Sequence, residues 1–302
     1  MSHSFLKESK LYIVYGGNKY RIYTTTAISF SQTFAEDSYP VKTLHDQSKM
    51  FKGSTITKAN PASFSFETPL TAEKDESIVI SLLTGVSTND LVPSFDMYVQ
   101  TGSSTFKIEG CAITSGNIAF NPKEQFKVAV EGQGSKLTRA GNESYTIPGS
   151  AQSESATRTP LLVYPHVTLG SLSMLSIIGV TVSIQNNLDW TPFETLHDSL
   201  AVTNSSNAMY PSAYTVNERV VSGAITQYQT DNNITQFDDF STSSSITITG
   251  KKASDNTDYW TLTLNPIMFT ARLNVNDIYT QSYDFRSLDN GEQLNAQIST
   301  YS

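Results

Sequence analysis

The stretch Pro40-Val41-Lys42-Thr43-Leu44-His45-Asp46 returns as Pro192-Phe193-Glu194-Thr195-Leu196-His197-Asp198, five of seven residues identical, at an offset of 152 in a chain of 302 residues. Such a repeat outranks any single motif, because two copies of one pattern set the organisation of the whole chain. Upstream the match runs without gaps: Ile28, Phe30 and Ser31 fall on Val180, Val182 and Ser183, and Leu11 and Tyr12 fall on Val163 and Tyr164. Near the end of each half, Phe120, Asn121, Glu124 and Phe126 fall on Leu273, Asn274, Asp277 and Tyr279 at an offset of 153. The sequence thus reads as a tandem duplication: an N-terminal arm over 1–9, a first repeat over 10–137, a Ser-, Gly- and Thr-rich linker over 138–160, and a second repeat over 161–302.

Inside each repeat the dominant hydrophobic period is two, the signature of half-buried strands. Leu11 to Tyr15 and Lys19 to Tyr23 flank Gly16-Gly17-Asn18, which reads as a hairpin because Gly and Asn tolerate the positive φ of a tight turn. Further strands are expected at 63–66, 97–100, 105–108, 117–120, 125–130, 245–249, 259–264 and 279–285. One segment departs from this period. Thr71 to Leu83 opens with acids in its first turn, spaces Ile78 and Leu82 four apart and is followed by Gly85, which predicts a helix. Its counterpart near Gln236 to Phe240 is shorter and weaker. The expected fold class is mainly β, two tandem β-sandwich or barrel units, with a flanking helix at least in the first.

Composition supports this and excludes much else. Ser and Thr make up about a quarter of the chain, and 15 Tyr and 15 Phe provide aromatic packing mass, a blend suited to strands and unlike that of disordered chains. A single cysteine, Cys111, rules out an internal disulfide framework, and four histidines leave little for a multi-histidine metal site. The longest apolar stretch, around 172–182, is far shorter than a membrane-spanning helix, so no membrane partner is expected. The opening residues lack the apolar core of a signal peptide, so export by the usual route is not expected either. The net charge of −8 lies wholly in the second half: residues 1–151 hold 14 basic and 14 acidic side chains, residues 152–302 hold 6 and 14. Wrapping of nucleic acid is disfavoured, although an acidic surface still matters for DNA where the duty is to repel it and let it slide.

The inventory of catalytic patterns is close to empty. His45-Asp46 and His197-Asp198 pair an imidazole with a carboxylate, yet strand neighbours point to opposite faces and no nucleophile motif accompanies them; a turn with capping side chains accounts for them better. Asp238, Asp239, Asp255 and Asp258 do not follow the spacing of a calcium loop. Three Asn-x-Ser/Thr triplets carry little weight without a secretory signal. Cys111, among Gly110, Ala112 and Ile113, reads as a buried small hydrophobe. No cofactor, metal or catalytic residue is expected.

The duplicated β-fold, the two Pro-x-x-Thr-Leu-His-Asp turns (Pro40, Thr43, Leu44, His45, Asp46 and Pro192, Thr195, Leu196, His197, Asp198), the Thr68-Pro69-Leu70-Thr71 entry to the helix and the closing run Asn276 to Phe285 resemble the major tail tube proteins of long-tailed bacteriophages. The resemblance implies two packed antiparallel sheets per unit with one flanking helix. One sheet would join its neighbours around a ring to line a channel for DNA. Because two units share one chain, it implies trimeric, pseudo-sixfold rings that stack head to tail. The stacking would use the arm, the linker and segments 47–60 and 199–217. It also implies a place in the virion tail after assembly in the host cytoplasm, with tape-measure, tail terminator and tail-tip proteins as partners. Candidate lumen acids are Glu124, Glu131, Asp277 and Asp284; a register slip of one residue would turn them outward.

Two alternatives follow from the same residues. A tail-tip or tube-initiator protein of this fold would form one ring and stop. A carbohydrate-binding β-sandwich adhesin would suit the Ser, Thr and Tyr content, but its aromatics should cluster in loops, whereas here they alternate within strands. An enzyme built on the His-Asp pairs fits least.

Overall fold

The computed structural model describes residues 9–38, 54–69, 74–85, 92–120, 127–151, 163–169, 172–190, 209–233, 244–252, 258–275 and 278–287. The first half contributes β1 (Lys10–Tyr15), β2 (Asn18–Ile22), β3 (Ser29–Ser31), β4 (Phe34–Ser38), β5 (Ser54–Ala59), β6 (Ala62–Pro69), α1 (Lys74–Thr84), β7 (Phe95–Gln100), β8 (Thr105–Phe120), β9 (Lys127–Gly134), β10 (Lys136–Gly141) and β11 (Ser150–Ala151). The second half contributes β12 (Val163–Leu169), β13 (Leu172–Ser173), β14 (Ile177–Trp190), β15 (Tyr214–Tyr228), β16 (Ser244–Lys252), β17 (Asp258–Asn274) and β18 (Thr280–Ser287).

Strand pairing follows the same path twice. In the first half the hydrogen-bonded order is β2-β1-β7-β8-β9-β6-β3, and in the second it is β13-β12-β16-β17-β18-β15-β14, every step antiparallel. The β4–β5 ribbon extends the first half where the long β14–β15 hairpin extends the second.

β8 shows how one strand serves two layers. Residues 105–109 bond to β7 and β10, and residues 112–119 bond to β9, with a bulge between Ile113 and Ser115 and a positive φ of 58° at Gly110. Bulges and bends of this kind let a strand turn a sandwich corner. The layers meet through aromatic rings: Phe64 of β6 lies 6.0 Å from Phe95 of β7, and Phe30 of β3 lies 5.4 Å from Phe106 of β8. A continuous core runs from Leu11 and Ile13 through Ile118 and Val182 to Leu264 and Phe285. Helix α1 buries Val79, Ile80, Leu82 and Leu83 against it. A Cβ at Gly116 of β8 would lie 2.4 Å from a Leu83 methyl, so the helix can approach the sheet only over a glycine.

The expected helix and most expected strands are present, with one difference of kind. The segment expected as a linker is in its first part built onto the first half: β10 pairs with β8, β11 pairs parallel with β2, and the Tyr145 ring stacks on Tyr98 at 6.3 Å. The exposed backbone of β8 supplies the hydrogen-bonding partner that composition could not reveal. Residues 152–160 lie outside the described residues, as do both Pro-x-x-Thr-Leu-His-Asp turns and the arm over 1–8. Among the described residues, no helix is long and apolar enough to cross a membrane.

Candidate functional site, a polar sheet face with open margins

The two halves join edge to edge. Phe120 to Ser115 of β8 pair antiparallel with Val180 to Gln185 of β14, so one layer runs β3-β6-β9-β8-β14-β15-β18-β17 across the whole chain. Along these strands apolar residues point into the core. The alternate residues form the opposite face, and cross-strand register aligns them in rows. One row reads Glu67, Ala129, Asn117, Ser183, Ser222, Arg286, Met268. The next reads Pro69, Lys127, Ala119, Thr181, Ala224, Asp284, Thr270. A third runs Ser29, Ser65, Glu131, Ser115, Gln185, Val220.

This face is hydroxyl- and amide-rich, and its charges are largely matched. Lys127 lies 3.4 Å from Glu67, Arg272 lies 3.2 Å from Asp284, and Arg286 lies 3.8 Å from Glu218. Glu131 accepts a hydrogen bond from the Ser115 hydroxyl at 3.4 Å and has no cation beside it among the described residues. A shallow, open depression of about 430 Å³ sits at its centre, lined by Ser65, Glu67, Asn117, Glu131, Ser183 and Gln185 among others. Of the candidate acids, Glu131 and Asp284 share this face, and Glu124 and Asp277 lie outside the described residues. Among the described residues this face is polar, and Lys127, Arg272 and Arg286 each sit beside a carboxylate.

The layer ends in two open margins. Among the described residues, β3 bonds only to β6. β17 from Ile267 to Asn274 bonds to β18 along one side; along the other, among the described residues, its only partner beyond Leu264 is Ser244 at Ile267. Apolar side chains crowd this end: Met268, Leu273, Val275, Ile278 and Tyr279 are all exposed. An unpaired, apolar edge is a template for another strand, and proteins normally cover it.

The match to known families can now be placed on this geometry. The profile of the Bacteriophage Baseplate Tube Protein Family matches residues 1–301. The chain belongs to that family. Among curated proteins, nothing matches. Family membership makes this a non-catalytic structural protein of a phage tail or baseplate tube, associated with the virion.

Sequence reasoning missed a buried cation of this tube protein. Arg219 of β15, 3% exposed, points into the core side of the sheet and donates from Nη2 to the carbonyl of Leu83 at 2.6 Å and of Gly85 at 3.2 Å, and from Nη1 to that of Thr84 at 3.1 Å. Its Nε donates to Asn186 Oδ1 at 2.8 Å, and Asn186 Nδ2 donates to the carbonyl of Ile113 at 2.9 Å. Burial lowers the guanidinium pKa to about 10, while the carbonyls at the helix C-terminus favour its charge. The available signal was parity: Arg219 alternates in step with Val221 and Ile225, which places a cation on the core face.

Proposed function

We propose that the chain is a tube subunit whose copies close into a ring by pairing β17 of one copy with β3 of the next, the polar sheet face lining the bore. One observation carries this reading. The junction of β8 with β14 inside the chain joins the strands that hold the places of β17 and β3, and among the described residues those two strands are left open along one side. The chain therefore contains one worked example of the contact it would make with its neighbours. The shared strand order of the two halves supports descent from one duplicated unit.

Strand arithmetic favours three copies. At about 4.8 Å between strands, two copies would give roughly 16 strands and a backbone diameter near 24 Å before tilt, which side chains of about 5 Å on each wall reduce below the width of a duplex. Three copies give roughly 24 strands and about 37 Å, enough for DNA to pass. A near-neutral lining of Ser, Thr, Asn and Gln, its cations matched by carboxylates, offers few unpaired positive charges to hold phosphate. Rings stacked head to tail would make an open filament, with tape-measure, terminator and tip proteins at its ends.

The family description places its tubes at the baseplate, which favours a second reading: a ring or short tube at the tail end in place of a long polymer. Mass photometry with electron microscopy of the purified protein tests both. Particles in multiples of three copies support ring closure. Even tubes indicate the polymer and isolated rings the baseplate form. A monomer at all accessible concentrations, or a multiple other than three, contradicts the proposal.

A further inference from the structure

The junction between the halves is more than a strand ladder. Arg219 and Asn186, both from the second half, bond to the end of α1 and to Ile113 in the first. Around them Tyr214 Oη donates to the Val92 carbonyl at 2.6 Å, the Ser135 hydroxyl donates to the Pro211 carbonyl, and the Lys136 ammonium sits 4.7 Å from the centre of the Tyr210 ring. The last carbonyls of a helix have no partners within the helix, and leaving them buried and unmet costs on the order of 1–3 kcal/mol each. Two of these acceptors, Leu83 and Thr84, and the carbonyl of Gly85 just beyond them are met by one guanidinium from the second half.

Among the described residues, the open margins carry nothing equivalent. β6 holds in the first half the place that β15 holds in the second, and its sequence, Ala62 to Pro69, contains neither Arg nor Lys. Gln32, at the base of β4, uses its amide within its own half: Nε2 donates to the carbonyls of Asn60 at 2.9 Å and Ser135 at 3.0 Å, and Oε1 accepts from Leu137 N at 2.9 Å.

We infer that Arg219 and Asn186 clamp the two halves of one chain into a single rigid unit, so that assemblies of this protein form and open only at the β17 and β3 margins. The six lobes of a ring are then three fixed pairs, and a chain reaches the growing structure with half of its seams already made. The first part of this inference concerns the single chain and does not depend on the ring; only the statement about margins rests on the tube reading.

The test uses the full chain below its assembly concentration, so that its failure and that of the ring are read separately. Two intrinsic probes report on opposite halves: Cys111 labelling for the first, and the fluorescence of Trp190 and Trp260 for the second. In the wild type both should follow denaturant with one midpoint. Arg219→Met should separate the midpoints and speed hydrogen exchange of the α1 amides at 80–85 by at least tenfold, an effect across the junction that a role confined to β15 would not produce. If that variant fails to fold, Asn186→Ala decides: it keeps the guanidinium but removes its Nε acceptor and the bond to Ile113, and should raise α1 exchange by at least threefold. Coincident midpoints with unchanged α1 exchange, in whichever variant folds, would overturn the clamp.

Discussion

Phe120 of β8 pairs across the inter-half seam with Val180 of β14 and is 4% exposed, whereas Leu273, at the corresponding end of β17, is 43% exposed. The same position in the two halves is thus covered in one case and bare in the other. Covering a large apolar side chain contributes about 1.5–3 kcal/mol.

Leu273→Lys should therefore leave the melting temperature of the single chain within a degree or two and raise the concentration needed for assembly at least tenfold. Light scattering against concentration, with thermal melts of dilute protein, reads both. Normal assembly by this variant would remove the β17 edge from the interface.

Gly223 of β15 lies opposite Val182 in the ladder, and a Cβ there would sit 2.1 Å from the Thr181 carbonyl oxygen and 2.5 Å from the Phe285 ring. The carbonyl is backbone and cannot swing away. Gly223→Ala should destabilise the chain by about 1–3 kcal/mol, as overpacking does, and chemical denaturation will show it as a lowered midpoint with the slope retained.

Cys111 is wholly buried, donates weakly to the Ile108 carbonyl at 3.4 Å, and has its thiol pKa pushed well up by desolvation. Native protein should not react with a thiol reagent over minutes at neutral pH, and slow labelling should track opening of the first half. Prompt reaction of the native protein would contradict the packing of β8.

Burial raises the phenol pKa of Tyr98, Tyr214 and Tyr283 above the ordinary 10.0. At Lys107, desolvation pulls the ammonium down, but Asp96 at 3.0 Å and Glu109 at 3.2 Å outweigh it and hold the pKa above 10.5. Each folded-state pKa is raised, so each contribution is complete below the unfolded value and is lost as pH climbs through the folded one. Stability should be level from about pH 7 to 9 and fall beyond about pH 10, and the triple Tyr→Phe variant should fall less steeply.

The polar face gives a functional prediction. Glu67→Gln, Glu218→Gln and Asp284→Asn together leave Lys127, Arg286 and Arg272 without their carboxylates. Assembled protein carrying them should retain DNA at low salt and release it as salt rises, where the wild type retains none. Equal retention by both would show that these strands do not face the bore.

Legibility in the sequence followed the range of the interactions. Leu11 to Tyr23 reads as a hairpin and Thr71 to Leu83 as a helix from neighbours alone, and both are present as β1–β2 and α1. β8 was legible only as two strands, 105–108 and 117–120, because Gly110, Ser115 and Gly116 interrupt the alternation where the strand turns its corner. Residues 138–141 of β10 read as linker because their order comes from a distant edge. The sheet face of Glu131 and Asp284 depended on register, which alternation suggests but only pairing fixes. The ion pairs that neutralise that face, and the reach of Arg219 to α1, join residues far apart in the chain and leave no local trace.

The central claim is that this chain closes by repeating between copies the seam it already makes within itself. Averaged electron micrographs viewed down the particle axis test it most directly. The account predicts threefold symmetry with six similar lobes, β17 of each copy hydrogen-bonded to β3 of the next. Closed particles of another symmetry, or rings joined through other strands, would contradict it.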